Sequence, residues 1–257
     1  MVDLSALILA AGRGVRMGPR GRLTPKGLLE INGIPLVARS VDLLRSRGIE
    51  RIRIVTGHLS DQYETLFAGR DDIELIHNPA YDQTGSLQSL MTGLNGLSGH
   101  IVLLESDVIY EARALSPVAS NQTRMIVSGQ TNATDEVYVW SRTGATGTPS
   151  FDTMSKDINA QPHAHYGELM GITCFSAPQV ERLRAAATSV LAENPKSDYE
   201  AAVIELARDT DIEAVLLEDL AWTEIDDEAM FARAVDTVWP QIQERDARIQ
   251  TRSAVAS

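Results

Sequence analysis

Apolar positions along this chain change their spacing from segment to segment, and the spacing predicts the elements. Residues 5–10 (SALILA) form a short apolar run that ends at a glycine-rich stretch, as a buried parallel strand does. Residues 34–47 (IPLVARSVDLLRSR) carry apolar side chains at helical spacing, with Pro35 at a first helical position. Residues 51–56 alternate into a second strand, 73–76 form a third, 86–97 a helix, and 100–105 (HIVLLE) a fourth strand. This β-α-β-α-β-α-β order across the first 107 residues predicts an α/β fold. Its centre is a mostly parallel, Rossmann-like sheet flanked by helices.

The second half patterns less regularly. Residues 124–128, 136–141, 166–176, 212–217 and 222–225 read as strands. Residues 178–191, 199–208 and 227–238 read as helices, the last interrupted by Pro240. Residues 144–150 (GATGTPS) read as a loop, and the small, polar 251–257 as a frayed, disordered tail. Without repeats or a low-complexity linker, the 257 residues predict one domain over 1–250 with an elaborated second half.

Composition narrows the classes. At 44% hydrophobic and 23% charged residues the chain can bury a full α/β core. No apolar run approaches the roughly 20 residues of a membrane span. The N-terminus lacks a basic signal-peptide region, and Cys174 stands alone, so the expected compartment is the cytoplasm. A net charge of −12 argues against sequence-independent nucleic-acid binding. Yet residues 4–29 contain no acid while holding Arg13, Arg16, Arg20, Arg22 and Lys26. That island reads as a local anion site or as a solvated basic loop.

The sharpest motif is Leu9-Ala10-Ala11-Gly12-Arg13-Gly14-Val15-Arg16-Met17, followed by Pro25-Lys26-Gly27-Leu28. A strand running into a glycine-rich loop lets backbone N–H groups approach a polyphosphate. A P-loop is excluded because no Gly-x-x-x-x-Gly-Lys-Ser/Thr run occurs. The dinucleotide fingerprint fails at its third glycine, where Met17 stands. A carboxylate follows the fourth strand at Asp107, the edge where open α/β sheets place ligands; an isolated Asp there also serves as a helix cap.

The paired motif resembles the nucleotidyltransferase superfamily, and the likeness covers roughly the first 110 residues. The resemblance implies that Leu9, Ala10, Ala11, Gly12, Arg13 and Gly14 hold the nucleotide and that Arg16 meets its β- and γ-phosphates. Lys26 would neutralise the α-phosphate, consistent with phosphoryl transfer by positioning and electrostatics. It further implies Mg²⁺ held by Asp107 and by Asp226, at the end of the strand before Asp227. Asp227 reads equally as a metal ligand or as the cap of the next helix.

The segment from Asn78 to Leu90 is similar to the small bacterial cytidylyltransferases that act on phosphocholine or 2-aminoethylphosphonate. There it implies base contacts from Thr84, Gly85 and Ser86, positions that also suit a plain helix start. Residues 1–110 would then bind nucleotide, and 111–250 the acceptor. An amine-bearing acceptor needs acidic or aromatic surroundings, which Glu168, Asp198, Tyr199, Glu200 and Trp222 offer. Lys156 offers a cation for its phosphate or phosphonate. At 5% aromatic residues, the chain leans towards the aminoethylphosphonate side. Val15-Arg16-Met17 departs from the Thr-Arg-Leu turn usual in sugar-1-phosphate enzymes, which puts a hexose acceptor in doubt. The expected partners are CTP and a small phosphonate or phosphate. The alternatives are a sugar-1-phosphate nucleotidyltransferase and a non-catalytic nucleotide sensor. Val238 and Trp239 read as packing on the core or on the partner of a homodimer.

Overall fold

The computed structural model describes residues 4–118, 121–131 and 136–255, with side chains through residue 249. In chain order the strands and helices begin with β1 (Leu4–Ala10), α1 (Gly18–Leu23), β2 (Glu30–Ile31), β3 (Ile34–Pro35), α2 (Leu36–Ser46), β4 (Arg51–Thr56) and α3 (Ser60–Leu66). There follow β5 (Ile73–His77), α4 (Ser86–Leu94), β6 (His100–Glu105), β7 (Val108–Tyr110), β8 (Arg124–Ser128), β9 (Tyr138–Thr143) and β10 (Pro149–Ser155). The chain closes with β11 (Gly167–Phe175), α5 (Ala177–Glu193), α6 (Tyr199–Ala207), β12 (Glu213–Leu217), β13 (Trp222–Glu224), α7 (Glu228–Arg233) and α8 (Trp239–Val255).

Alternation along β1 builds both layers. Ala6, Ile8 and Ala10 face one way and pack with Val37, Val41 and Leu44 of α2. Leu7 and Leu9 face the other way, onto Leu87, Leu90 and Leu94 of α4. A strand buried on both faces has to be apolar at consecutive positions, which is why its pattern is continuous. β5, β4, β1 and β6 pair in parallel, as predicted.

Beyond β6 the expectation of a mostly parallel sheet fails. The nine-stranded sheet runs β5-β4-β1-β6-β11-β8-β12-β10-β9, and β11 is antiparallel to both its neighbours. β9 then returns to pair with the start of β11, so β11, β8, β12, β10 and β9 close into a five-strand barrel. The device is local. At Gly171, with φ +70°, the register between β11 and β8 shifts between Leu169 and Thr173. Such a bulge bends a strand, so one half of β11 serves the barrel and the other lies beside β6.

Other differences also have local causes. The predicted 144–150 loop ends at β10, whose hairpin with β9 supplies partners that short-range patterning does not reveal. Pro240 does not break the C-terminal helix. A π turn over Ala234–Val238 leads straight into α8, so Pro240 sits just past that irregular turn within an unbroken helical run. Val238 and Ile242 pack on Met17, Ile31 and Ile225, and Trp239 lies against the same cluster, so these side chains serve the core. Of the tail expected to fray, α8 extends to Val255, and residues 256–257 lie outside the described residues. No described helix is long and apolar enough to cross a membrane.

Candidate active site

At the C-terminal edge of β1, β4 and β6 lies a cavity of about 480 Å³. Open α/β sheets bind ligands at this edge because the strand-to-helix loops there expose backbone groups. The loop after β1 is held down by hydrogen bonds from the His58 N–H to Ala11 O (3.2 Å) and from the Ser106 N–H to Leu9 O (3.2 Å). Gly14 has φ +58°. A side chain on Gly21 would sit 2.3 Å from Gly14 O, so α1 can close on the loop only as glycine. Leu9, Ala10, Ala11, Gly12, Arg13, Gly14, Arg16 and Lys26 all line the cavity.

The two expected metal carboxylates meet at Lys26. Its Nζ donates to Asp107 Oδ2 at 2.8 Å and to Asp226 Oδ1, while Arg16 pairs with Asp226 Oδ2. Burial alone would lower the lysine's pKa, but the charges of Asp107 and Asp226 and their hydrogen bonds outweigh it and hold the ammonium above its ordinary range. Residues 107 and 226 are brought together by the short β7–β13 ladder, which sets Val108 against Glu224, and by the Ile225 N–H, which donates to Asp107 O at 2.9 Å. Asp227 accepts from the Met230 N–H at 2.8 Å, so it caps α7.

Two carboxyls that sequence reasoning passed over complete the group. Glu105 and Glu224 line the cavity, and oxygens of Glu105, Asp107 and Glu224 lie within 4.8 Å of one another. Burial, then the neighbouring acids, raises the pKa of both Glu105 and Glu224. The available signal was spacing: Glu105-Ser106-Asp107 and Glu224-Ile225-Asp226 repeat one Glu-x-Asp pattern at the ends of two strands. Hard, clustered carboxylate oxygens beside a phosphate loop fit Mg²⁺.

The same cavity gathers most of the expected acceptor and base residues. Thr84, Gly85, Ser86, Lys156, Asp198, Tyr199, Glu200 and Trp222 line it. Thr84 Oγ1 donates to Ala80 O at 2.7 Å. Ser86 N and Oγ each donate to Asp198 Oδ1 at 3.1 Å, and the Tyr199 N–H donates to Ser86 Oγ at 2.9 Å. Asp198 thus caps α4 from across the cavity wall. The Tyr199 hydroxyl donates to Glu105 Oε1. Burial raises Glu200 to about 7, against the lowering pull of Lys156. Glu168 is the exception: it does not line the cavity. Leu169, Met170 and Gly171 do, and the carboxylate of Glu168 is instead taken up by a backbone N–H. Glu168 is 1% exposed, and its Oε2 accepts from the Thr131 N–H at 3.0 Å.

Across known families, the MobA-like NTP transferase domain matches residues 6–161, which hold the loop, Lys26 and Asp107. The chain belongs to that family. It is a nucleotidyltransferase. A 2-aminoethylphosphonate cytidylyltransferase of Lancefieldella rimae is 28% identical to this NTP transferase over 184 residues, 70% of either chain. A choline-phosphate cytidylyltransferase of Haemophilus influenzae is 41% identical over 86 residues, 34% of this chain and 36% of its own. Among solved structures, the CTP:phosphocholine cytidylyltransferase of Streptococcus pneumoniae superposes with a TM-score of 0.77 at 20% identity. That superposition covers 91% of this NTP transferase and 98% of its counterpart, a likeness of fold.

Proposed function

We propose that the protein is a Mg²⁺-dependent cytidylyltransferase that moves CMP from CTP to a small amino-alkyl phosphonate or phosphate and releases pyrophosphate. One observation carries the reading: a single cavity is lined by the glycine-rich loop, Lys26 and paired carboxylates together with a buried acidic patch that includes Glu200. The acidic patch suits a cationic acceptor, and relatives named for 2-aminoethylphosphonate and choline phosphate support that choice.

In this reading Leu9–Gly14 cradle the triphosphate, and Thr84, Gly85 and Ser86 border the base. Asp107 and Asp226 would hold Mg²⁺, with Glu224 within reach. Bound there, the ion supplies charge neutralisation of the phosphates. An acceptor phosphonate or phosphate oxygen, already ionised at neutral pH, attacks the α-phosphorus. The new O–P bond forms as the bond to the β-phosphate oxygen breaks, and pyrophosphate leaves with the electron pair. No general base is needed. Lys26 meets charge building on the α-phosphate, and Arg16 meets the departing phosphates. Lys156 meets the acceptor's anionic end. The domain is read as one unit over 1–250, acting in the cytoplasm, where CTP is made.

The test is pyrophosphate release with Mg²⁺, each of four NTPs, and a panel of acceptors. The panel holds 2-aminoethylphosphonate, phosphoethanolamine, phosphocholine and sugar 1-phosphates. Release with CTP and an amino-alkyl acceptor is the expected result. Release only with UTP or dTTP and a sugar 1-phosphate would overturn the substrate assignment.

A further inference from the structure

The reaction outlined above gives Glu105 no step, although one of its oxygens belongs to the cluster with Asp107 and Glu224, and its setting is specific. It ends β6, retains partial exposure, and lines the cavity. One carboxyl oxygen accepts from the Tyr199 hydroxyl. Beside the other stands Gly171, where a Cβ would lie 3.1 Å from Oε2 and 3.0 Å from Cδ. The strand bulge at Gly171 therefore leaves the space this carboxyl occupies. Next to it, Glu200 Oε2 is buried without a hydrogen-bond partner.

A second, independent observation lies in the same wall. Trp222 is 3% exposed, lines the cavity, and its indole Nε1–H has no partner. Buried polar atoms left unpaired are costly, by roughly 1–3 kcal/mol each. An orphaned acceptor and an orphaned donor in one wall together call for a ligand that both donates and accepts. A zwitterion with an ammonium at one end and anionic oxygens at the other meets both demands.

The form of the ammonium follows from what is open. A trimethylammonium has no N–H and is recognised by aromatic faces. Of the rings lining this cavity, Tyr63, Tyr199 and Trp222 are covered to 0%, 3% and 3% exposure; Tyr81 alone keeps an open face, beside the His58 and His77 rings, so one ring is open where an aromatic cage needs several. A primary ammonium brings three N–H donors, which buried carboxylates can accept. We infer that Glu105, held in position by Tyr199 and assisted by Glu200, selects a primary ammonium on the acceptor over a trimethylammonium. The inference rests on the cytidylyltransferase reading and names its substrate class.

The experiment is steady-state kinetics of the full chain with Mg·CTP and two matched pairs of acceptors. Phosphoethanolamine and phosphocholine differ only by N-methylation; 2-aminoethylphosphonate and ethylphosphonate differ by the amine. The wild type is expected to prefer the primary amine in both pairs. Glu105→Gln keeps the shape and removes the charge. It should lower the kcat/KM ratio of 2-aminoethylphosphonate to ethylphosphonate by about 100-fold, mostly through KM. Mn²⁺ binding followed by electron paramagnetic resonance should stay at the wild-type value. Tyr199→Phe keeps the carboxyl but frees it, and should lower the same ratio by about tenfold.

Equal loss on all acceptors with weakened Mn²⁺ binding would make Glu105 a metal ligand and overturn the inference. A wild type that prefers phosphocholine would overturn it as well. If Glu105→Gln fails to fold, Tyr199→Phe decides, and an unchanged ratio there sinks the idea. Turnover of amino acceptors with unchanged ratios in both variants removes this inference and leaves the cytidylyltransferase reading standing. A wild type active only on sugar 1-phosphates removes both.

Discussion

At the scale of single residues, Lys26 sits at the balance point of the site. It offsets two acids, one of which, Asp226, is 1% exposed and also held by Arg16. Lys26→Ala should lower kcat by about 10²–10³. Because its ammonium occupies the carboxylates expected to take the metal, the same variant should bind Mn²⁺ more tightly without nucleotide. Calorimetry reads that directly, and weaker binding would contradict the competition. Glu168 gives the opposite case. Its carboxylate is committed to a backbone N–H away from the cavity, so Glu168→Gln should leave every acceptor KM at the wild-type value. A raised KM would return Glu168 to the acceptor site.

At the scale of elements, the cavity depends on how closely loops approach. The start of α4 abuts the segment before α6: a Cβ on Gly85 would lie 2.2 Å from Ser197 O and 2.5 Å from Lys196 O. Neither backbone oxygen can give way without moving its segment. Gly85→Ala is therefore expected to lower the melting temperature and to raise KM for nucleotide and acceptor together. Gly12 lines the same cavity with nothing within 4 Å of its added Cβ. Gly12→Ala should keep the wild-type melting temperature and weaken nucleotide binding alone, by obstructing the loop. A thermal melt beside a CTP titration separates the two, and a matching profile for both would refute the contrast.

At the scale of the molecule, an acidic chain folds around an acidic cavity. Glu200 is raised from 4.5 to about 7 by burial. Between those values the folded state keeps a proton that the unfolded state releases. The stability this proton supplies is fully present below about 4.5 and declines as pH rises towards 7. The melting temperature without ligand should fall over that window, and Glu200→Gln should flatten part of the fall. An unaltered slope in that variant would show that Glu200 does not carry the titration. Asp72 and Asp211, whose pKa values are lowered, contribute only below this range.

What the sequence by itself determined is what depends on near neighbours along the chain. Continuous apolar runs made β1 and β6 legible and alternation made β4 so, and glycine and basic residues marked the candidate phosphate loop. Lys26 and Asp107 were readable because each lies just past such an element. Tertiary structure decided the rest. Gly171 bends β11 only because β6, β8 and β9 all compete to pair with it, so the closed barrel has no short-range signature. Glu168 patterns like a site residue, but the Thr131 N–H, distant in sequence, takes up its carboxylate. Glu105 and Glu224 stand more than a hundred residues apart in sequence, and only the pairing of β7 with β13 brings them together. Their desolvation and shared charge follow from that meeting, since the energy of a charge depends on its surroundings in space.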